Sequence, residues 1–452
     1  MALAIENLIN VTVSLSGTGL PLPAFGIPLI IDTENVQGAT ALSPVVGSFT
    51  GLQGLAGAGF EPWNTAYKLA ASLCAQPQRP ALFKVASVYA LSTGELNAVQ
   101  AADPAWYACL LTSRTSANIQ TVSGWVESAD APHLFFAESQ DAAIFTSGAS
   151  VLSILRQANR QRSAVMARKA KAQIQTLTQS RAYVASNSIS LKVNGSTVGP
   201  VSYTTDNATT LAAVATAIQA TTVCTASASG DTITITATDP LVDVVISDYA
   251  VSGGASQGTA TVVTTQAGQT PADAALCSIL TAKGFGQAVG FGQTLAGVAA
   301  DALSQTEYGY AKAQGGNVYA SFGGAPIVDA GSTSALLPGG AAPIFIDTVA
   351  GVDRLKATVE SEVFRALTPA TGKLPFNQSG INAVAGALAT SAKRFADLGV
   401  LEPFVVSDAI TIPSIASVSA NDKAARTLTG VAGTFTGTGA IQSVAISIAV
   451  AP

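Results

Sequence analysis

Residues 106–139 read WYACLLTSRTSANIQTVSGWVESADAPHLFFAES, and this stretch decides the fold class. WYACLLTS reads as a strand, NIQTVSGWVES as a helix and HLFFAES as a second strand. Just upstream, PQRPALFKVASVY is a strand entered through a Pro-bounded turn. Before it, EPWNTAYKLAASLCAQ places Trp63, Tyr67, Ala70 and Leu73 at helical spacing. Strands that alternate with helices predict an α/β layer, with other elements making the chain α+β mixed.

Working outward, PLPAFGIPLIIDT is a turn feeding a buried strand from Ile27 to Ile31, followed by a Gly-rich loop from Gly47 to Gly59. On the other side, residues 149–181 carry a helical pattern, with Val151, Ile154, Leu155 and Ala158 on one face and Ile174 and Leu177 beyond. The same stretch holds Arg156, Arg160, Arg162, Arg168, Lys169, Lys171 and Arg181 and no acid. A whole-chain charge of −5 argues against a phosphate binder, so a solvated or inter-subunit face is the expectation rather than a nucleic-acid site.

The composition then changes. Residues 183–268 hold one basic residue, Lys192, against Asp206, Asp231, Asp239, Asp243 and Asp248, with no Phe or Trp and many Thr. They read as strand, strand, helix and hairpin, the last turning at Gly230-Asp231. A β-rich inserted domain displayed outward is expected. The α/β pattern resumes at DAALCSILTAKG. Further on, Val352, Leu355, Val359, Val363 and Leu367 form one helical stripe, with Lys356 and Glu360 at pairing distance. A second helix follows and stops near Gly399.

Both ends of the chain read as strands in want of a partner. NLINVTVSLS alternates Ile9, Val11, Val13 and Leu15 with polar residues, and IQSVAISIAVAP does the same with Val444, Ile446, Ile448 and Val450. Charged residues are only 11% of the 452, against about 25% ordinarily, and the mean hydropathy is +0.40. Such a chain hides much of its surface in a membrane or an assembly. No run approaches the ~18 apolar residues of a spanning helix. The helical segments also leave little room for a transmembrane β-barrel. The first basic residue is Lys68, so no basic export signal is read and a cytosolic product is expected.

Catalytic, cofactor and metal motifs are scarce, and none is assigned. His133 is the only histidine, read as a strand-edge residue. Cys74, Cys109, Cys224 and Cys277 are too widely spaced for a metal or redox motif. GFGQAVGFG misses the dinucleotide spacing by one residue, and Gly372-Lys373 lacks the first Gly of a P-loop. The carboxylate pairs Glu360/Glu362 and Asp239/Asp243 are read as solvated surface.

The order of several longer segments resembles the contractile-tail sheath proteins of bacteriophages, in the branch related to the DUF3383 group. The similarity runs through NLINVTVSLS…AFGIPLIID, YKLAASLCAQPQRPALFKVASV and GWVES…HLFFAES. It continues through FIDTVAGVDRLKATVESEVFRAL, KLPFNQSGINAVAGAL and NDKAARTLTGVAGTFTGTGAIQSVAISIAV. The resemblance implies a multi-domain phage tail sheath fold: an N-terminal strand arm over 1–20, an α/β sheath domain over 21–182 and 269–342, the insert over 183–268, a C-terminal sheath domain over 343–440 and a strand arm over 441–452.

It further implies a non-enzymatic polymer of stacked rings around a tail tube. Its partners would be further copies of itself, the tube protein, and the baseplate and tail terminator proteins, with no direct nucleic acid and no membrane insertion. The terminal strands would be exchanged between copies. By position, the helix over 380–396, with Lys393 and Arg394, would touch the tube. The location implied is the virion tail, assembled in the bacterial cytoplasm. An adhesin or surface-layer protein and a cytosolic α/β enzyme are the rival readings.

Overall fold

Short apolar runs without a polar face must be covered on both sides. A computed structural model, describing residues 24–129, 132–254, 258–284, 286–340, 342–368, 373–440 and 442, shows how this is done. The first strands are β1 (Pro28–Asp32), β2 (Val45–Phe49), β3 (Phe83–Ser87), β4 (Ala108–Leu111), β5 (Leu134–Ser139) and β6 (Ser163–Ala167). A separate group follows: β7 (Ile174–Gln179), β8 (Ser188–Val193), β9 (Ser196–Ser202), β10 (Cys224–Ser229), β11 (Thr232–Ala237), β12 (Ile246–Ser252) and β13 (Ala260–Gln266). The chain then returns with β14 (Asn317–Phe322) and β15 (Ala325–Val328) to complete an eight-stranded sheet of order β15-β14-β6-β5-β4-β1-β3-β2. Its interior pairs are parallel, and β2 and β15 close the two edges antiparallel.

Alternate residues of each strand serve opposite cores. Ile30, Leu110 and Phe136 face a core shared with Leu69 and Leu73 of α2 (Thr65–Cys74) and Leu276 and Leu280 of the later helix Ala272–Lys283. Leu29, Ile31, Cys109, Leu111 and Phe135 face the other core. There they meet helices α3 (Thr93–Ala102), α4 (Ser116–Ser128) and α5 (Val151–Gln157). The short α1 (Leu52–Gly57) precedes α2 and stands where a Gly-rich loop was expected, with Leu55 buried. Ser92 and Thr115 cap α3 and α4, their hydroxyls accepting from the Glu95 and Asn118 N–H groups.

The expected long helix over 149–181 is a correction. Only α5 is helical; the chain turns at Asn159, whose φ is +51°, and continues as β6 and then β7. SAVMA, the β6 run, is buried throughout and carries no period for a reader to detect. Ile174 and Leu177 mimic helical spacing, yet in β7 the buried set is Gln175, Leu177 and Gln179. The basic residues of this stretch do not share one face. Arg162 pairs with Asp353, Arg168 with Asp301, and Lys169 with Glu307.

The middle of the chain folds around its own core. β10-β11-β7-β13 and β12-β8-β9 form two antiparallel sheets. They pack with α6 (Asn207–Gln219) through Leu177, Leu191, Leu211, Val214, Ile233 and Ile235. The Gly230-Asp231 turn joins β10 to β11 with Ser229 opposite Thr232. Contacts at and beside α2 help to seat this unit on the sheet domain. Lys68 Nζ donates to Asp243 Oδ1 at 2.7 Å, and a Cβ at Gly195 would stand 3.3 Å from the Trp63 ring.

After α7 (Ala272–Lys283) and α8 (Gln305–Ala313), a two-stranded sheet of β16 (Ser332–Leu336) and β17 (Pro343–Phe345) leads into two long helices. These are α9 (Ile346–Leu367) and α10 (Gln378–Asp397). Among the described residues no helix is long and apolar enough to cross a membrane. The architecture is mixed α/β.

Candidate assembly interface

α9 and α10 bury the predicted stripe only in part. Leu355, Val359 and Val363 pack with Ala392, Phe395 and Leu401 in a small core, while Leu367 is 40% exposed. Gly399, at φ +71°, follows α10 and lets the chain reverse. It then runs through β18 (Ile410–Thr411), which pairs with β19 (Ala432–Gly433) over only two residue pairs, Ile410–Gly433 and Thr411–Ala432. A bridge between Leu401 and Gly437 and a bond from Glu402 N–H to Thr436 O at 2.8 Å continue the contact. This is a stub of antiparallel sheet, below the size at which a sheet stands alone.

Beside the stub runs a groove of about 1930 Å³. Val359, Val363, Ile381 and Val384 line it from the helices, and Thr434, Phe435 and Gly437 to Ala440 line it from the stub side. Lys356, Lys373, Lys423 and Arg426 also line it, against the single acid Asp347 among the described residues. Burial raises the Asp347 carboxyl pKa, partly offset by backbone N–H groups at the start of α9. Around the stub the apolar side chains of Leu398, Val405, Val406 and Ile412 are 42%, 62%, 41% and 44% exposed. The groove and these exposed side chains lie together on the C-terminal unit.

The predicted arm residues Ile9, Val11, Val13, Leu15, Val444, Ile446, Ile448 and Val450 lie outside the described residues. Lys393 and Arg394 lie near the end of α10, both exposed, between the buried Ala392 and Phe395. Burial and then the Arg394 charge lower the Arg354 guanidinium pKa, so the two helices bring cations to one side.

Other singled-out residues are engaged inside the chain. His133 is buried, not at an edge: it stacks on Trp106 at 3.7 Å between centroids and on Trp125 at 5.5 Å. Burial, reinforced by the Arg162 cation, lowers its pKa to about 3, which keeps the imidazole neutral. Glu360 is also buried, at 6% exposure, with Lys356 Nζ 3.8 Å away, whereas Glu362 pairs with Arg365. Among the described residues no cluster of His, Cys, Asp or Glu is arranged to hold a metal ion.

The carboxyl ends of the parallel strands are where doubly wound sheets hold ligands. Here that rim is occupied by the chain's own groups. Asp32 accepts from the Glu34 and Val36 N–H groups and from Ser87 Oγ. Arg114 grips Asp273 through both terminal nitrogens. Glu138 accepts from Ala272 N–H at 2.7 Å and Gln269 Nε2 at 2.8 Å. Sequence reading missed this ring, since Asp32–Ser87, Arg114–Asp273 and the contacts of Glu138 with Gln269 and Ala272 join segments far apart in the chain.

No protein-family model matches the sequence, so the narrower DUF3383 branch gains no support, and no curated protein matches it. Solved structures do. The helical sheath of the anti-feeding prophage in its contracted state, known from cryo-EM, is similar over 98% of this chain and 97% of that one, with 12% identity and a TM-score of 0.51. A chain of the six-fold symmetrised baseplate of the same prophage aligns over 98% of both chains, with 13% identity and a TM-score of 0.47. Across nearly its whole length, then, the chain has the fold of a contractile sheath subunit.

Proposed function

We propose that the chain is a structural, non-enzymatic subunit of a contractile phage tail sheath. In this reading it polymerises around a tail tube and contracts to drive the tube through the host envelope during genome delivery. The observation that carries the reading is the unfinished C-terminal unit, a two-residue stub of sheet beside an open apolar groove on a sheath fold. A strand from another copy would extend the stub and cover the groove. The arms at Ile9–Leu15 and Val444–Val450 carry the alternating apolar faces such a strand needs. The contact is heterologous, so it propagates into a helical tube. Lys393 and Arg394 are the proposed grip on the tube, and baseplate and terminator proteins are the proposed partners at its ends. The insert over 183–268 is proposed to project outward from the polymer, and the virion tail, built in the bacterial cytoplasm, is the proposed location.

The self-filled rim of the sheet favours this reading over an α/β enzyme, because the carboxylates of Asp32, Glu138 and Asp273 are held by the chain's own donors. An adhesin or surface-layer protein is separated by its assembly. Electron microscopy of the purified chain is expected to show long hollow tubes. Deleting residues 1–16 or 441–452 is expected to leave folded, unassembled protein; tubes that persist after either deletion would sink the strand-exchange reading.

A further inference from the structure

Helix α9, the longest among the described residues, belongs to two cores at once. Ile346, Val349 and Ala350, at the start of α9, are buried in the core of the eight-stranded sheet. Leu355, Val359 and Val363, further along, are buried with Phe395 and Leu401 of the C-terminal unit. Asp353 sits between the two groups and is 7% exposed. Arg162 Nη1 donates to its Oδ2 at 2.7 Å and Nη2 to its Oδ1 at 2.9 Å, and the Tyr107 hydroxyl donates to Oδ2 at 2.8 Å. Tyr107 directly precedes β4 and Arg162 directly precedes β6, so both donors belong to one end of the sheet. Burial opposes the Arg162 charge, but the hydrogen bonds and charge of Asp353 outweigh it and raise the guanidinium pKa. A planar fork on a carboxylate fixes direction as well as distance.

A second contact lies half a turn away. A Cβ at Gly286, whose φ is +85°, would stand 2.6 Å from Gly351 Cα. One at Gly351 would stand 2.8 Å from Val400 Cγ1. Backbone therefore touches backbone where α9 leaves the sheet, and the segment after α10 closes on the same point. The junction is tight on two sides of the helix.

We propose that α9 is a strut and Asp353 its latch, setting the angle between the sheet and the C-terminal unit so that the two turn as one body. Asp353 acts here as a positioning residue. The device is a property of the single chain and does not rest on the sheath reading. Within that reading, rearrangement of the lattice has to be absorbed at the links between copies.

Hydrogen exchange followed by mass spectrometry on the full chain tests the latch. Asp353→Asn is expected to speed exchange about tenfold in α10 and in α9 beyond Leu355, while β1, β4 and β5 stay within about twofold. Tyr107→Phe keeps the ion pair and is expected to give the same pattern at smaller amplitude. Uniform acceleration across sheet and helices, or an unchanged α10, overturns the proposal. Should Asp353→Asn fail to fold, Tyr107→Phe decides alone: selective acceleration of α10 supports the latch, and uniform or absent acceleration rejects it.

Discussion

The eight-stranded sheet and the C-terminal two-helix unit belong to one chain and end differently. The sheet is finished. Each inner strand spends one set of side chains on one core and the alternate set on the other, antiparallel strands stand at both edges, and ion pairs occupy its carboxyl rim. The C-terminal unit stops short, with a small core, two-residue strands, a groove and exposed Val405 and Ile412. The difference separates faces that the described chain covers from faces that it leaves exposed. Exposed edges and apolar rims invite pairing, and the proposed polymer contacts fall on the unfinished unit.

Substitutions can break that contrast, beginning with the sheet. Leu110 is fully buried in β4, and Leu110→Ala is expected to cost about 2–5 kcal/mol by leaving a cavity. A denaturant titration that shows less than about 1 kcal/mol would mean the sheet core is looser than its packing implies.

His133 offers a smaller, pH-dependent effect. Its folded pKa, about 3, lies below the ordinary 6.5, so between those values the unfolded chain binds a proton that the folded chain does not. Stability from this group is therefore intact above pH 6.5 and falls as the pH drops, by about 1.4 kcal/mol per unit. His133→Phe, which preserves the stacking on Trp106, is expected to remove that slope. Equal pH slopes in the two proteins would contradict the assignment.

On the unfinished unit the signature reverses. Ile412→Asp changes an exposed position, so its expected effect on stability is within about 0.5 kcal/mol. Sedimentation of polymer should nevertheless fall sharply; unaltered pelleting would show that this rim is not covered on assembly. The mildest expected change is in Lys393→Ala with Arg394→Ala. Neither stability nor self-assembly should move, while binding to an acidic tube surface should weaken and lose its salt dependence.

How much of this was legible follows from how local each feature is. β4, α4 and β5 were readable because WYACLLTS, NIQTVSGWVES and HLFFAES each declare themselves within a few residues. β6 and β7 were misread, because SAVMA has no period and Ile174 and Leu177 have a misleading one. His133 was read as an edge residue, since nothing local says that Trp106 and Trp125 will close over it. The paired acids misled in a similar way: Glu360 looks like a surface residue in one dimension and is buried in three.

By itself, then, the sequence determined the alternation of strands and helices, the separate composition of residues 183–268 and the apolar stripe of α9, each written in neighbours along the chain. Tertiary structure alone decided the rest. Arg162 meets Asp353 across 191 residues because the sheet carries β6 to the foot of α9. The groove is a space left by α9, α10 and the stub together, and no single segment encodes it. Local pattern records which face of an element seeks cover; only the assembled elements show which faces have found it.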